Sequence, residues 1–247
     1  MTAQQFSYKE IDQEGLETLT VIEKADKFNK WMYDTIKPFC KGNILEIGSG
    51  TGNISQFFLK ANQSITLSDI RKNYCDILSN KFSGFRSLKD VITLNLTDPD
   101  FDKNFSQYFN TFDSIFALNV VEHIEEDALA LKNCHKLLKP NGHLIILVPA
   151  FQFLYNRFDK ELEHFRRYSK KSLNKIFLDT GFQIQSSKYF NLAGILGWYI
   201  SGSVLKKKTI PGGQMALYNA LVPLFKIVDK VISNAAGLSV VTVGRKK

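Results

Sequence analysis

The sequence predicts an α/β protein, a parallel sheet covered by helices on both faces. Three observations carry this. The first 150 residues alternate short apolar strands with helical segments five times. Those strands are near-continuously apolar, as strands buried on both faces are. A glycine turn, Gly48-Ser-Gly-Thr-Gly52, joins the first strand directly to a helix.

The elements follow in order. Phe28, Met32 and Ile36, with Trp31 and Phe39, recur at helical spacing and predict an amphipathic helix over 20–40, broken by Lys41-Gly42. Asn43 to Ile47 is a short buried strand, and 53–61 a helix. Ser64 to Ser68 is a second strand ending at Asp69, followed by a helix over Lys72 to Phe82. Val91 to Leu96 reads as the third strand, 102–109 as a short helix, and Phe112 to Asn119 as the fourth strand. A helix over Glu126 to Leu138 stops at Lys139-Pro-Asn-Gly142, before the fifth strand, His143 to Val148. Then come an aromatic and charged loop, 151–169, a helix from Lys170 to Gly181, and a strand from Gln183 to Phe190. An apolar-aromatic insertion, 191–235, precedes the final strand, Leu238 to Val243.

Strands on both sides of the insertion make the chain one domain, 1–247. It divides into an N-terminal helical segment (1–40), a core (41–150), and a part with loop, cap and final strands (151–247).

The composition, 44% apolar and 23% charged over 247 residues, excludes a disordered chain and supplies a core. Cys40, Cys75 and Cys134 have no metal-ligand or disulfide spacing, so a reduced, cytoplasmic protein is expected. The polar, acidic start of the chain has no leader pattern. Leu192 to Leu205 is too short to span a bilayer. Charge is uneven: residues 151–247 hold 16 Lys/Arg against 5 Asp/Glu. That half suits an anionic partner, such as nucleic acid, phosphate-bearing lipid or an anionic small molecule, or it is a solubilising face.

The glycine turn has a physical logic. Glycines let the chain bend sharply and a ligand approach, and the helix that follows offers free N–H groups. Asp69 ends the next strand about 20 residues later, where a carboxylate can accept bonds from ribose hydroxyls. The spacing is G-x-G-x-G, with Asn53 where a dehydrogenase pattern has its third glycine. Glu46 would repel a pyrophosphate, so the turn suits a cationic or zwitterionic ligand better than a dinucleotide.

The stretch ILEIGSGTG resembles motif I of the Rossmann-like, class I S-adenosylmethionine-dependent methyltransferases, and the resemblance runs through residues 20–150. NVVEHIEED (119–127) is similar to the family's segment after strand four, and LLKPNGHLIILVPA (137–150) to its LkPGG turn and fifth strand, with Asn141 in place of the first glycine. DKELEHFRRYS (159–169) resembles the GHyRRYs motif of a bacterial branch often encoded near glycan and lipid-linked sugar genes, with Glu163 replacing its glycine.

The resemblance implies a seven-stranded sheet with an antiparallel last strand and S-adenosylmethionine as cofactor, leaving as S-adenosylhomocysteine. It implies that the loop residues Gly48, Ser49, Gly50, Thr51 and Gly52 pass under the methionine and ribose parts, with Glu46 near the amino group. Asp69 would bind the ribose hydroxyls and Ile70 pack on adenine. The acceptor for the adenine amino group is Asn95 or Asp98, beside Leu96, and Asn119 would face the methionine end.

Methyl transfer from a sulfonium is an in-line displacement in which positioning does most of the work, with a base where the acceptor must lose a proton. His123 follows strand four at the carboxyl edge, as a base or as a structural histidine bonded to Glu122. His164 is the second candidate base. Arg166 and Arg167 beside it can hold a phosphate or carboxylate, while Tyr155, Asp159 and Tyr168 can shape the pocket. The alternative is a surface loop whose arginines pair with Asp159, Glu161 and Glu163. Glu122-His123 with a distant His164 resembles the Glu-x-x-Glu-His metal site of some small-RNA and ubiquinone-pathway O-methyltransferases. Asn119 occupies the first glutamate position, and no metal is assigned.

The expected function is O-methylation of a small-molecule or lipid-linked acceptor, a glycan or quinone-like intermediate. The insertion is either a cap helix pair packed on the sheet or a surface that meets an anionic membrane, at its cytoplasmic face. RNA methylation and a non-catalytic cofactor-binding adaptor are the secondary readings. No separate RNA-binding module is found.

Overall fold

The computed structural model describes residues 13–207, 211–232 and 235–247, with side chains from residue 16 onward. Most of the chain's acidic start and Lys208 lie outside the described residues.

Seven strands form one sheet: β1 (Ile44–Ile47), β2 (Ile65–Asp69), β3 (Leu88–Thr93), β4 (Phe112–Leu118), β5 (Leu138–Pro149), β6 (Phe182–Phe190) and β7 (Ser239–Lys246). Their order is β3-β2-β1-β4-β5-β7-β6. The first five pair in parallel, and β7 runs antiparallel between β5 and β6. The order reverses between β1 and β4, so the loops after these strands open a crevice at the carboxyl edge.

Helices cover both faces: α1 (Gln13–Glu23), α2 (Asp26–Ile36), α3 (Ser55–Lys60), α4 (Lys72–Phe82), α5 (Phe101–Asn104), α6 (Asp127–Leu137), α7 (Arg157–Glu161), α8 (Lys170–Asp179), α9 (Leu192–Trp198) and α10 (Gly212–Ile232). The central strands are buried on both faces, which explains their unbroken apolar runs. On one face Phe58 stacks on Phe116 at 5.1 Å, among side chains of α2, α3 and α4. On the other, Leu131, Leu173 and Phe177 from α6 and α8 meet Ile115 and Ile146. Truncating a ring such as Phe116 to Ala removes about 3–5 kcal/mol.

Three elements differ from expectation. The helix over 20–40 is two helices, α1 and α2, separated at Lys24-Ala25. The third strand is Leu88–Thr93 rather than 91–96. It ends where its sole partner β2 ends, at the pairing of Asp69 with Thr93. Leu94 and Leu96 are apolar because they plug the core from a loop. The fifth strand begins at Leu138, ahead of the Pro-Asn-Gly turn residues. Asn141 there adopts φ +65°, the left-handed conformation for which asparagine is the usual substitute for glycine.

The insertion packs chiefly on α2 and meets the sheet at the end of β6. Tyr218 and Val222 of α10 join the apolar cluster of Phe28, Trp31 and Phe190. Asp229 of α10 accepts from the backbone N–H groups of Asn191 and Leu192 at 3.0 and 2.7 Å, so it fixes the start of α9. A π-helical turn, Tyr199–Val204, follows α9.

Candidate active site

A cavity of about 1570 Å³ opens at the carboxyl edge of the sheet. It exceeds the roughly 300–1,000 Å³ of ordinary ligand pockets, leaving room for two molecules. Its floor is the glycine turn with the ends of β1, β2 and β4, and its roof is α1, α9 and α10.

At one end, Gly48 has φ +66°, and a Cβ there would stand 2.4 Å from a Val120 methyl. Both facts require glycine. Gly50 donates its N–H to Asp69 Oδ2 at 3.0 Å, and Arg71 N donates to Oδ1 at 3.0 Å. These bonds use two of the carboxylate's roughly four lone-pair positions and leave the rest for a ligand. Burial raises the Asp69 carboxyl above its ordinary range, against these donors. Glu46 lies beneath the turn, its carboxylate accepting from Ser55 Oγ, and burial pushes it up to about 8. A buried, protonated acid facing a cavity is prepared for a cation.

The expected cofactor residues divide here. Glu46, Gly48, Ser49, Gly50, Asp69, Ile70, Asn95, Leu96, Asp98 and Asn119 line the cavity. Thr51 and Gly52 do not. Thr51 Oγ1 donates to Asn53, and a Cβ on Gly52 would strike the Phe82 ring at 2.4 Å, so that glycine serves helix packing. Asn95 Oδ1 accepts from Thr97 N and Oγ1, closing its own turn.

At the other end stand Glu122, His123 and His164, with ligand atoms within 4.8 Å of one another. The His rings meet edge to face at 4.6 Å. Two short elements bring them together. Glu122 and His123 sit on a 3-10 turn after β4, and Phe165 N donates to the Glu122 carbonyl at 2.8 Å, tying the later loop to it. Helix α7 starts with a capping box in which Asn156 N donates to Asp159 Oδ2. Asp159 Oδ1 then accepts from His164 Nδ1 and from Arg167 Nε, each at 2.8 Å. Burial pushes the Asp159 carboxyl up, but these two partners outweigh it and hold the group below its ordinary value. Burial, with the charges of His164 and Arg71, pushes His123 down to about 3, so it is neutral at physiological pH.

The proposed substrate arginines diverge. Arg167 is buried on the cavity wall, spent on Asp159, the Ala150 carbonyl and the face of Trp198. Arg166 points away, to Asp127 and the Glu125 carbonyl. Tyr168 is in the core, its hydroxyl donating to Asp127 at 2.9 Å. Tyr155 donates to the His164 carbonyl at 2.7 Å from outside the cavity wall. Thus Arg166, Tyr155 and Tyr168 are engaged in bonds that hold the loop and do not line the cavity. Glu163 keeps a glycine-like turn despite its side chain, at φ +58°.

Sequence reading missed Trp198, whose indole N–H is buried without a partner on the cavity wall. It also left Glu122 outside the site, although its carboxylate faces both histidines. No sequence signal ties Trp198 to the loop, because the contact forms across the insertion.

Residues 45–144 match the family model described as a methyltransferase domain. The strand order places that match on the sheet that carries the cavity. The fold is the class I, Rossmann-like methyltransferase fold. Among curated relatives, a highly reducing polyketide synthase of Aspergillus nomiae is 33% identical over 113 residues, 42% of this chain and 4% of the relative. The chain thus spans a small fraction of the length of the curated relatives it matches. Among solved structures, the phosphoethanolamine N-methyltransferase 2 of Haemonchus contortus, in complex with S-adenosyl-L-methionine, superposes with a TM-score of 0.56. It is 16% identical, and the match covers 85% of this chain and 51% of that one. The [4+2]-cyclase SpnF superposes with a TM-score of 0.60 at 15% identity, covering 90% and 80%. One methyltransferase fold therefore carries different named chemistries, and the site must decide.

Proposed function

We propose that this protein binds S-adenosylmethionine and transfers its methyl group to the oxygen of a small-molecule or lipid-linked acceptor. The observation that carries it is one cavity with a glycine and carboxylate cradle at one end and two imidazoles, those of His123 and His164, meeting edge to face at the other. Bound, the cofactor supplies a methyl on a sulfonium, so that an S–C bond breaks as an O–C bond forms.

The residues present fit that group. The space above Gly48 and Gly50 takes its backbone, with Thr51 and Gly52 supporting the turn from behind. Asp69 accepts from the ribose hydroxyls, and Ile70 and Leu96 enclose the adenine. Asp98 would take the adenine amino group in preference to Asn95: each Asp98 oxygen accepts one bond, from Asp100 N and Asn104 Nδ2, and keeps a lone pair, whereas the single Asn95 carbonyl oxygen already accepts two. Glu46 and Asn119 meet the methionine end. The acceptor lies between Trp198 and the cluster of Glu122, His123 and His164, which receives its proton. Arg167 supports that cluster through Asp159 rather than through the acceptor.

The surface of the insertion supports an amphiphilic acceptor. Leu217, Leu221, Leu224, Ile227, Val228 and Val231 form an exposed stripe along α10, with Val231 82% exposed. Leu196, Tyr199, Ile200 and Leu205 extend it beside Lys206 and Lys207. Among the described residues of α10 the one acid, Asp229, is buried. An apolar face with Lys206, Lys207 and Lys230 beside it fits the interface of an anionic membrane, while Lys226 is paired with Asp34 of α2. No helix among the described residues is long and apolar enough to cross one.

The test uses methyl-tritiated cofactor, purified protein and extract of the source cells. Label in the organic phase supports the lipid-linked acceptor. Label released by nuclease replaces it with RNA. Binding of cofactor without transfer to any fraction favours the adaptor reading. Resistance of an organic-phase label to ether cleavage replaces the oxygen acceptor with a carbon acceptor.

A further inference from the structure

We infer that Glu122, His123 and His164 form a binding site for one first-row divalent transition-metal ion, open toward the cavity. Three independent features of the cluster point there.

First, the Glu122 carboxylate is fully buried, and neither oxygen has a hydrogen-bond partner. Buried polar atoms are almost always satisfied, so two orphaned oxygens on one carboxyl group mark an absent partner. The nearest fixed cation, Arg167, is committed to Asp159 and the Ala150 carbonyl.

Second, each histidine is already oriented. Asp159 Oδ1, which also accepts from Arg167 Nε, lies 2.8 Å from His164 Nδ1, so that nitrogen is engaged from behind and Nε2 is the one left to a metal. His123 is held edge to face against the His164 ring at 4.6 Å. A metal-bound histidine commonly gives its second nitrogen to a carboxylate or a backbone carbonyl, as His164 does to Asp159.

Third, the donor set is consistent. Two imidazoles and one carboxylate, with ligand atoms within 4.8 Å of one another, resemble a two-histidine, one-carboxylate face. Bonds of about 2.0–2.2 Å require the ligand atoms to close to roughly 3–3.5 Å, a movement within side-chain rotation. The nitrogen donors favour zinc, iron, copper or nickel over magnesium or calcium. All three residues line the cavity, so the remaining coordination positions face the acceptor's place. Arg71 and Arg167 are the nearby cations, and Asp159 is the nearby acid that balances them.

The site is independent of the cofactor reading but takes the place of the cluster's role as proton acceptor, because a bound metal would occupy both imidazole lone pairs, and its test needs no methyl transfer. Full-length protein is stripped with chelator and titrated with cobalt(II) and then zinc(II), followed by visible absorption and calorimetry. The expected result is one equivalent of each, with cobalt displaced by zinc and not by magnesium. X-ray absorption on the wild-type zinc form should count two imidazoles. Glu122→Gln and His164→Asn, each checked for native circular dichroism, should weaken zinc binding at least tenfold, and Asp159→Asn should do so through His164. His135→Asn and His143→Asn should leave the stoichiometry unchanged. No stoichiometric binding by folded wild-type protein overturns the site. So does binding that Glu122→Gln and His164→Asn leave intact, or an absorption spectrum without imidazole.

Discussion

Oδ1 of Asp159 lies 2.8 Å from Nδ1 of His164, in a place where neither side chain is more than 5% exposed. The same oxygen carries the Arg167 guanidinium, so one buried carboxylate sets the position of both. Asp159→Asn keeps the shape and removes the charge. It leaves a buried arginine uncompensated, which costs about 3 kcal/mol or more. Thermal melting should fall by roughly 6–12 °C for a chain of this size. Asp159→Asn melting within 2 °C of wild type (about the shift from 0.5–1 kcal/mol) would show that the pair is not structural.

His123→Ala and His164→Ala should each lower methyl transfer by roughly 10²–10⁴-fold. Cofactor affinity should change by less than about threefold, because neither residue belongs to the glycine cradle. Single-turnover rates and equilibrium dialysis separate the two effects. Unchanged rates in both variants would remove the cluster from the chemistry.

Glu46 makes stability depend on pH. Its carboxyl titrates at about 8 in the folded protein, against an ordinary 4.5, because of burial. Between these values the folded state holds the extra proton. Its contribution is therefore full below about pH 4.5 and is lost as pH rises toward 8. Asp69 and Cys40 are the titratable neighbours. Denaturant unfolding of wild type minus Glu46→Gln should fall with pH across that window, by at most about 1.4 kcal/mol per pH unit. Cofactor binding by Glu46→Gln should be weaker. A flat difference curve would mean that Glu46 is ionised throughout.

Arg166 and Arg167 are neighbours with separate duties. Arg166→Ala should leave the acceptor KM within about twofold and cost about 1 kcal/mol, as expected for a half-exposed ion pair. A large rise in KM would return Arg166 to the substrate site.

The membrane reading has its own test. Leu224→Glu with Ile227→Glu should lower binding to anionic vesicles by roughly 100-fold or more, since burial of each side chain contributes about 1.5–3 kcal/mol. Melting should be unchanged, because both side chains are exposed. Vesicle flotation of the wild type no better than that of this variant would leave the stripe for another partner.

The glycine turn, Asp69 and the five strand–helix repeats were legible because their signals are local. Apolar runs, turn residues and a carboxylate at a strand end are read within a few positions. Asn95 and Asp98 were found, but on a strand. Leu94 and Leu96 imitate strand residues while filling the core from a loop. The insertion was recognised by its apolar content, yet its partner, α2, lies some 190 residues away, as in the Phe28–Asn219 bond.

The sequence by itself determined the sheet, the turn and the acids that face it, since backbone conformation and burial follow from short-range pattern. The tertiary structure alone decided which members of Glu122, His123, Asp159, His164, Arg166, Arg167 and Tyr168 form the site. The segment ending at Tyr168 is extended, bridging to Ala150. Alternate side chains in an extended chain point to opposite sides. Arg166 and Tyr168 therefore share Asp127, while Arg167 turns to Asp159. That alternation, and the bond from Phe165 to Glu122, set His164 beside His123 across a gap of some 40 residues.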